Sequence, residues 1–564
     1  MQNAELIEAL RGLVGKKHVL TGDRPTERFR RGFRSGSGGA LCVVQPGQLL
    51  EMWKVLQACV AADKIVILQA ANTGLTEGST PKDAYDRDVV LINTRRMDQI
   101  ALLHDGAQVV SFPGATLFSL ERLLAPLGRD PHSVIGSSSI GATVVGGVCN
   151  NSGGSLVERG PAYTELSLFA QIDAQGELRL VNHLGIELGD TPEEILTRLE
   201  NGDYDTSPTI GNEKASASDY VDVVRQVDAD TPSRYNADKR MLFESSGSAG
   251  KLVVFAVRLD TFKKPEAQKT FYIGTNNVDD LTALRRHILT KFETLPISAE
   301  YMERNLFNIS ERYGKDTAMM IDWLGTDRLP MFFALKGKID SWLRGLGPLA
   351  NLTDRCMQLL SWITPGILPK FMLDYRDRFQ HHLILKMRDG GIAEAEALLP
   401  EFFAEREAEF TVCNDREAKL AGLHRFAAAG AAVRYMAIHG SEVEDILALD
   451  IALRRNDPEW TEKLPPEISD KLVHALYYGH FMCHVMHQDY IVKKGVDVKA
   501  LKAEMLKILD DRGAEYPSEH NVGHIYTAKP DLAAHYKACD PTNSLNPGIG
   551  NMSRARDYAL KSSA

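Results

Sequence analysis

The residues best equipped for chemistry lie late in the chain. Gly479-His480-Phe481-Met482-Cys483-His484-Val485-Met486-His487-Gln488-Asp489 is followed, about thirty residues on, by Glu519-His520-Asn521-Val522-Gly523-His524. Imidazole and carboxylate donors together suit a first-row divalent cation such as zinc. An imidazole is also the usual general base near neutral pH. Spacing leaves the geometry open. On a helix His480, His484 and His487 share a face; on one strand His480 and His484 share a face and His487 takes the other. Aromatic-rich segments also carry such histidines as plain core or surface residues.

A second group is Arg425-Phe426-Ala427-Ala428-Ala429-Gly430-Ala431-Ala432-Val433-Arg434, two guanidiniums flanking an uncharged run of small residues. Room beside an Arg fork suits a carboxylate. A helix packed through its alanines, with Arg at its ends, has the same pattern. The third group is backbone rather than side chain. Gln69-Ala70-Ala71-Asn72-Thr73-Gly74-Leu75-Thr76-Glu77-Gly78-Ser79 follows the apolar run Ile65 to Leu68. Small residues after a strand can turn their N–H groups onto a diphosphate, or simply form a turn. Between Gly136 and Gly160, seven of 25 residues are Gly, and Ile140, Val144, Val145 and Val148 among them argue against a solvent loop. Two such loops can bracket one extended dinucleotide. No GxGxxG after a strand, GxxxxGK[ST], GxSxG or HExxH occurs, so Rossmann, P-loop, hydrolase-elbow and zincin readings lack support.

The elements that must hold these groups alternate. Leu49 to Ala62 and Thr116 to Leu127 have helical apolar spacing, while Ile65 to Leu68, Val89 to Ile92, Gln108 to Phe112 and Lys251 to Leu259 read as strands. From about Tyr272 helices such as Asp279 to Phe292 alternate with short strands. Met1 to Lys17 reads as an amphipathic helix without a signal-peptide apolar block. The composition, 44% hydrophobic and 25% charged over 564 residues, is globular. Seven scattered cysteines without a CxxC fit a reduced compartment. No run of about 18 apolar residues spans a membrane.

Net charge is −10, which disfavours nucleic acid as a partner. Residues 328–388 nevertheless hold ten Lys and Arg against four Asp and Glu, so this segment is +6 in an otherwise acidic chain. Lys336, Lys338, Arg344, Arg355, Lys370, Arg376 and Arg378 are mixed there with Trp342, Trp362, Phe371 and Tyr375, and Trp323 lies just before. Cations attract anionic headgroups and Trp and Tyr favour the interfacial zone, so the segment suits a peripheral docking surface. A solvated basic excursion is the plainer alternative.

Here the strings carry a resemblance. The Ala-Asn-Thr-Gly-Leu-Thr loop, Pro113-Gly114 and the Gly136–Gly154 block resemble the FAD-binding domain of the vanillyl-alcohol oxidase/p-cresol methylhydroxylase superfamily. Gly32-Phe33-Arg34-Ser35-Gly36, Ala70 to Thr80, Cys149-Asn150-Asn151-Ser152-Gly153-Gly154-Ser155, His424 to Arg434 and Glu442 to Asp457 resemble the bacterial quinone-dependent D-lactate dehydrogenases, respiratory flavoenzymes. The likeness spans most of the chain and is weakest at 200–220 and 340–375.

That resemblance implies an α+β chain: a two-subdomain FAD-binding domain over 1–262, an antiparallel-sheet cap over 263–320 and 389–511, an inserted helical membrane-docking element over 321–388, and a segment, 512–564, returning to the FAD domain. It implies that Ala70, Ala71, Asn72, Thr73, Gly74, Gly78 and Ser79 contact the FAD diphosphate, and that Gly136, Thr143, Gly153 and Val254 line the flavin. With no His in these loops and only Cys149 nearby, noncovalent FAD is expected. Arg425, with Arg434, is expected to bind substrate carboxylate, and His520 to act as base. Related FAD-dependent D-2-hydroxyglutarate dehydrogenases hold a metal on two His seven apart and a Glu, which here correspond to His480, His487 and Glu519. This sequence departs from those relatives between the two His. The implied reaction is D-lactate to pyruvate, with electrons passed to membrane quinone, on the cytoplasmic face of the bacterial inner membrane and against anionic lipid. Another D-2-hydroxy acid as substrate, or a non-catalytic flavin module, are the alternatives.

Overall fold

The computed structural model describes residues 2–133, 140–205, 211–324 and 352–559. Ile65–Gln69 and Val89–Asn93 pair in parallel within a four-stranded sheet, with Cys42–Val44 next and Val19–Leu20 antiparallel at the far edge. Their side chains are buried on both faces, which is why they read as unbroken apolar runs rather than alternating ones. Leu49–Ala61 and Asn3–Val14 cover one face through Met52, Leu56, Leu6 and Leu10. The Ile65–Gln69 edge is itself covered from far along the chain. The Val66 N–H donates to the Ser544 carbonyl at 2.9 Å and the Asn546 N–H donates to the Val66 carbonyl at 2.9 Å. Buried Lys251 donates to Asn543 at 2.6 Å and lies 3.8 Å from buried Asp540, which ties that segment to a second sheet. This sheet has five antiparallel strands in the order Ile100–Leu103, Gln108–Ser111, Val253–Asp260, Ser167–Ile172, Leu178–Asn182.

A seven-stranded antiparallel sheet forms the other half. Its order is Ala408–Cys413, Gln268–Thr275, His381–Arg388, Ser298–Glu303, Leu472–His480, Val485–Lys493, Val443–Ala452. Side chains alternate between its faces. Phe271, Tyr301, Leu383 and Leu385 face Val278–Lys291, Gly390–Phe403 and Val498–Asp511. Tyr272, Met302, Leu476 and Tyr478 face Arg304–Tyr313 and the long helix Asp415–Ile438. Asn414 starts that helix with a reciprocal cap to Glu417. Buried Ala421, Ala428, Ala431 and Ala432 let it lie close to its neighbours.

The described part of the insertion comprises Lys315–Leu324, Leu352–Ile363 and Lys370–Arg378. Lys336, Lys338, Trp342 and Arg344 lie outside the described residues. The rest of the basic pattern is only partly a free surface. Arg376 pairs with Glu311 and Asp377, and Arg378 with Glu409 and Asp374. Phe371 and Tyr375 pack edge-on against Tyr272 inside the fold. Arg355 and Lys370 are exposed. The exposed signal here is apolar: Leu359, Leu360, Trp362 and Ile363 lie exposed together on one helix, Ile363 with 72% of its surface in solvent, and Trp323 on another helix keeps 73%. Such a patch exceeds what scattered surface hydrophobes explain. Among the described residues no helix is long and apolar enough to cross a membrane.

Candidate active site

Residues 480–487 form neither a helix nor a single strand. Leu472–His480 and Val485–Lys493 make a hairpin closed by Phe481–Cys483, with His484 at φ +52° in the turn. Tyr478 lies opposite His487, so His480 and His487 become diagonal neighbours on one face. A Cβ on Gly479 would stand 2.3 Å from the Val485 carbonyl oxygen, so the close approach requires Gly. His484 turns away into the core, with Nδ1 on the Arg454 carbonyl at 3.0 Å.

The turn places Nε2 of His480 and of His487 at 3.3 Å. Glu519 Oε2 completes a triangle, 3.4 Å from His480 Nε2 and 3.7 Å from His487 Nε2. A tetrahedral cation with bonds of about 2.0–2.1 Å has ligand-to-ligand edges of about 3.3–3.4 Å, close to this triangle. Each imidazole is fixed from behind. Glu300 Oε1 holds His480 Nδ1 at 2.7 Å, and Asp450 Oδ1 lies 3.3 Å from His487 Nδ1. Carboxylates behind ligating imidazoles direct the Nε2 lone pairs inward. The other oxygen of Glu519 receives Arg234 at 2.7 Å. Burial alone would raise the Glu519 carboxyl and lower His480, but each holds the other charged, helped by Arg234 and Glu300, so a cation bound here would displace the His480 Nε2 proton.

Asp450 also organises the next residue. It accepts from the Glu519 N–H at 2.7 Å, the His520 N–H at 3.1 Å and the Ser518 hydroxyl. His520 Nδ1 lies 2.7 Å from the same carboxylate, which leaves Nε2 facing outward. Burial would raise Asp450, yet His520 and His487 hold it well below the usual carboxylate range; the same contact raises His520 against the effect of its burial. The His520 side chain keeps 36% of its surface exposed, against 12% for His480 and 18% for His487. His520 is therefore the imidazole of this group best placed to meet a substrate.

The two arginines part company. Arg425 reaches the group: its guanidinium lies 3.0 Å from Glu300 and 4.4 Å over the Tyr478 ring, and its buried Nε has no hydrogen-bond partner among the described residues. Arg434 is not brought there. It is buried between Asp316 at 3.1 Å and Asp354 at 2.9 Å, tying the long helix to the insertion. Nine positions of helix separate the pair by about 13 Å, too far to grip one small carboxylate.

Beside this lies the small-residue loop. None of the backbone N–H groups of residues 71–79 donates to a partner among the described residues, which is what a diphosphate cradle requires. Asn72 holds the loop's shape, at φ +55°, with its Nδ2 on the Arg31 carbonyl at 2.7 Å and its Oδ1 taking the Ser79 hydroxyl at 3.1 Å. Asn93 Nδ2 holds the Ala70 carbonyl at 2.9 Å. No atom lies within 4 Å of a Cβ built on Gly74, and Gly78 faces Asn521. Thr143 caps Val144–Cys149 through the Gly146 N–H. A Cβ on Gly153 would meet the Glu519 side chain at 2.8 Å, so this Gly lets the second loop touch the histidine group. Val254 is buried in the strand Val253–Asp260, beside a bulge. Gly136 lies outside the described residues. Burial pushes the Cys149 thiol up to about 11, away from nucleophilic thiolate. The joint between loop and histidines is Gly523, at φ +54°, where a Cβ would stand 1.8 Å from the Thr76 carbonyl oxygen.

Sequence reasoning did not single out Glu300, Asp450 or Arg234. Asp450 sat inside the quoted string Glu442 to Asp457, but nothing in spacing marked its role. Glu300 is 180 positions from His480 and Arg234 is 285 from Glu519.

Comparison with known proteins agrees with the fold and with FAD as cofactor. A family model described as "D-lactate dehydrogenase, membrane binding" matches residues 270–558, and one described as "FAD binding domain" matches 40–181. The chain is 59% identical over 559 residues to the quinone-dependent D-lactate dehydrogenase of Escherichia coli, covering 99% of this chain and 98% of that one. It is 53% identical over 564 residues to the Haemophilus influenzae protein of the same name, covering 99% and 100%. A crystal structure of p-cresol methylhydroxylase shares the fold, with a TM-score of 0.58 at 11% identity over 98% of this chain and 97% of that one. The chain belongs to the quinone-dependent D-lactate dehydrogenase family.

Proposed function

We propose that this protein oxidises D-lactate to pyruvate with noncovalently bound FAD and delivers the electrons to membrane quinone. The single observation that carries the site is the convergence of His520, Arg425 and the His480–His487–Glu519 triangle beside a loop of unpaired backbone N–H groups. Bound FAD supplies the hydride acceptor at flavin N5. Residues 70–74, Gly78 and Ser79 hold its diphosphate, and Thr143, Gly153 and Val254 its ring.

Arg425 orients the lactate carboxylate through the guanidinium edge that Glu300 leaves open. His520, with Nδ1 held by Asp450, takes the hydroxyl proton at Nε2 as the C2 hydrogen departs with its electron pair. Asp450 stabilises the imidazolium that results. His480, His487 and Glu519 would hold a divalent cation such as zinc, whose chemistry there is Lewis-acid polarisation.

The same reading divides the chain at 1–262, 263–320, 321–388, 389–511 and 512–564, except that His381–Arg388, paired between Gln268–Thr275 and Ser298–Glu303, belongs to the cap sheet and the insertion's first helix begins at Lys315. It places the protein peripherally on the cytoplasmic face of the inner membrane, with the Trp323, Trp362 and Ile363 face, Arg355 and Lys370 against anionic lipid.

The test is the absorption spectrum of purified protein before and after anaerobic D-lactate, followed by metal analysis of the same sample. Flavin bands that bleach with D-lactate support the reading. Bleaching only by a longer D-2-hydroxy acid replaces the substrate, and a colourless protein ends the flavin assignment. A sample without stoichiometric metal that bleaches at full rate removes the cation.

A further inference from the structure

A second cavity lies away from the histidine group. It encloses about 510 Å³ between the insertion and the cap helices Arg304–Tyr313 and Asp415–Ile438. That volume falls in the range of sites for ring-sized ligands. Its walls are mixed in an informative way. Ile367, Leu368 and Leu373 are apolar, Asn308, Glu311, Arg312 and Lys315 bring polar and charged groups, and Ser361 and His424 bring further polar atoms. Ser361 and His424 are deeply buried, at 2% and 3% exposure. Neither Ser361 Oγ nor His424 Nε2 has a hydrogen-bond partner among the described residues. A buried polar atom left unpaired is costly, so two on one cavity point to a ligand with matching groups. Burial also pushes His424 down to about 3, so it stands there neutral.

We propose that this cavity binds the ring of the quinone acceptor, with Ser361 Oγ and His424 Nε2 donating to the quinone's carbonyl oxygens. Two acceptors on an uncharged, flat ring match the two unpaired polar atoms, while Glu311 and Lys315 on the same wall are already engaged by Arg376 and the Thr364 carbonyl. The position agrees. Trp362 both lines the cavity and is half exposed, in the patch formed with Leu359, Leu360 and Ile363, so an isoprenoid tail has an apolar path outward. Inward, His424 precedes Arg425 on one helix, and Arg425 touches Glu300 and Tyr478 of the histidine group. The site thus stands between the lipid-facing patch and the proposed lactate site. The exchange it serves is balanced: lactate gives up two electrons and two protons in becoming pyruvate, and the quinone takes both pairs in becoming a quinol. The inference rests on quinone being the acceptor.

Three variants of the holoenzyme test it: Ser361→Ala, His424→Phe and Leu368→Trp, the last filling the cavity. The probe is a soluble short-chain benzoquinone, and anaerobic flavin bleaching by D-lactate is the control for each variant. Loss of one hydrogen bond is expected to raise the KM for quinone about tenfold in the first two variants. Leu368→Trp should remove quinone turnover while bleaching stays within about twofold of the parent. A photoreactive azido-benzoquinone should label peptides within 352–378 or 415–438, and label less in Leu368→Trp. Unchanged quinone KM in Ser361→Ala and His424→Phe overturns the proposal, as does labelling elsewhere. If Leu368→Trp loses vesicle binding while its quinone KM is unchanged, the cavity holds an acyl chain and the proposal fails. If the parent enzyme bleaches with lactate but reduces no quinone, the acceptor reading itself fails.

Discussion

The small-residue loop and the histidine group sit side by side but are built in opposite ways. The loop is one contiguous stretch, residues 70–79, and offers backbone N–H groups. The group draws Arg234, Glu300, Arg425, Asp450, His480, His487, Glu519 and His520 from distant strands and loops, and offers side chains. A backbone site depends on the shape of the chain and little on which side chains it carries. A side-chain site depends on each member and on the carboxylate behind it.

That contrast is open to attack. His520→Ala should lower turnover by about 10²–10⁴ with FAD still bound, read from steady-state rates and flavin absorbance. Unimpaired flavin reduction in that variant would remove His520 from the mechanism. Gly523→Ala acts at the joint and should damage both halves. Its Cβ would collide with the Thr76 carbonyl and its φ is left-handed, so a penalty of about 2 kcal/mol or more is expected, seen as weakened FAD retention together with lost turnover. If only turnover falls, the two halves are less joined than the contact implies.

Arg425→Lys keeps charge but loses the fork, and should raise the KM for D-lactate about tenfold with little change in FAD content. Arg434→Lys should leave that KM unchanged and lower the urea midpoint instead, because its partners are Asp316 and Asp354. Equal KM effects from both arginines would restore Arg434 to the site.

Two smaller effects bear on the loop. Burial works to raise the Glu77 carboxyl, but Lys82 and Ser35 outweigh it and hold it below the ordinary value. Its contribution is therefore present above about pH 4.5 and is lost as pH falls through the depressed value. Glu77→Gln should cost about 1–2 kcal/mol at pH 7, and the gap to the parent should close on acidification in urea titrations. Thr73→Ala, which removes a side chain but no backbone donor, should change FAD affinity by about 0.5 kcal/mol or less. A large loss there would mean the loop binds through side chains after all.

The same contrast explains what was legible in the sequence. Ile65 to Leu68, Val89 to Ile92 and the glycine loop could be read directly, because strand burial and backbone freedom leave local traces. Arg425 and His520 stood out by residue type and spacing, and resemblance to known strings supplied the roles expected of them. The hairpin at Phe481 to His484 was missed because its turn has none of the usual Asn-Gly or Asp-Gly chemistry; Phe481, Met482 and Cys483 are core residues held by packing. Glu300 and Asp450 left no trace because a lone carboxylate in a strand looks like any surface acid until the fold sets an imidazole against it. Arg376 and Arg378 read as free cations for the converse reason, since their carboxylate partners include Glu311 and Glu409, outside the basic segment.

The pairing of Val66 with residues 544–546 has a consequence for synthesis. A ribosome makes the Ile65–Gln69 strand early, yet the segment that closes its edge emerges only after nearly the whole chain. Until then the nascent protein carries an open parallel strand of Ile, Val and Leu, the kind of edge that recruits other chains. The domain that holds this strand is thus completed only after the cap that follows it has been made. Its demand for protection during translation should be set by the length of everything that follows it.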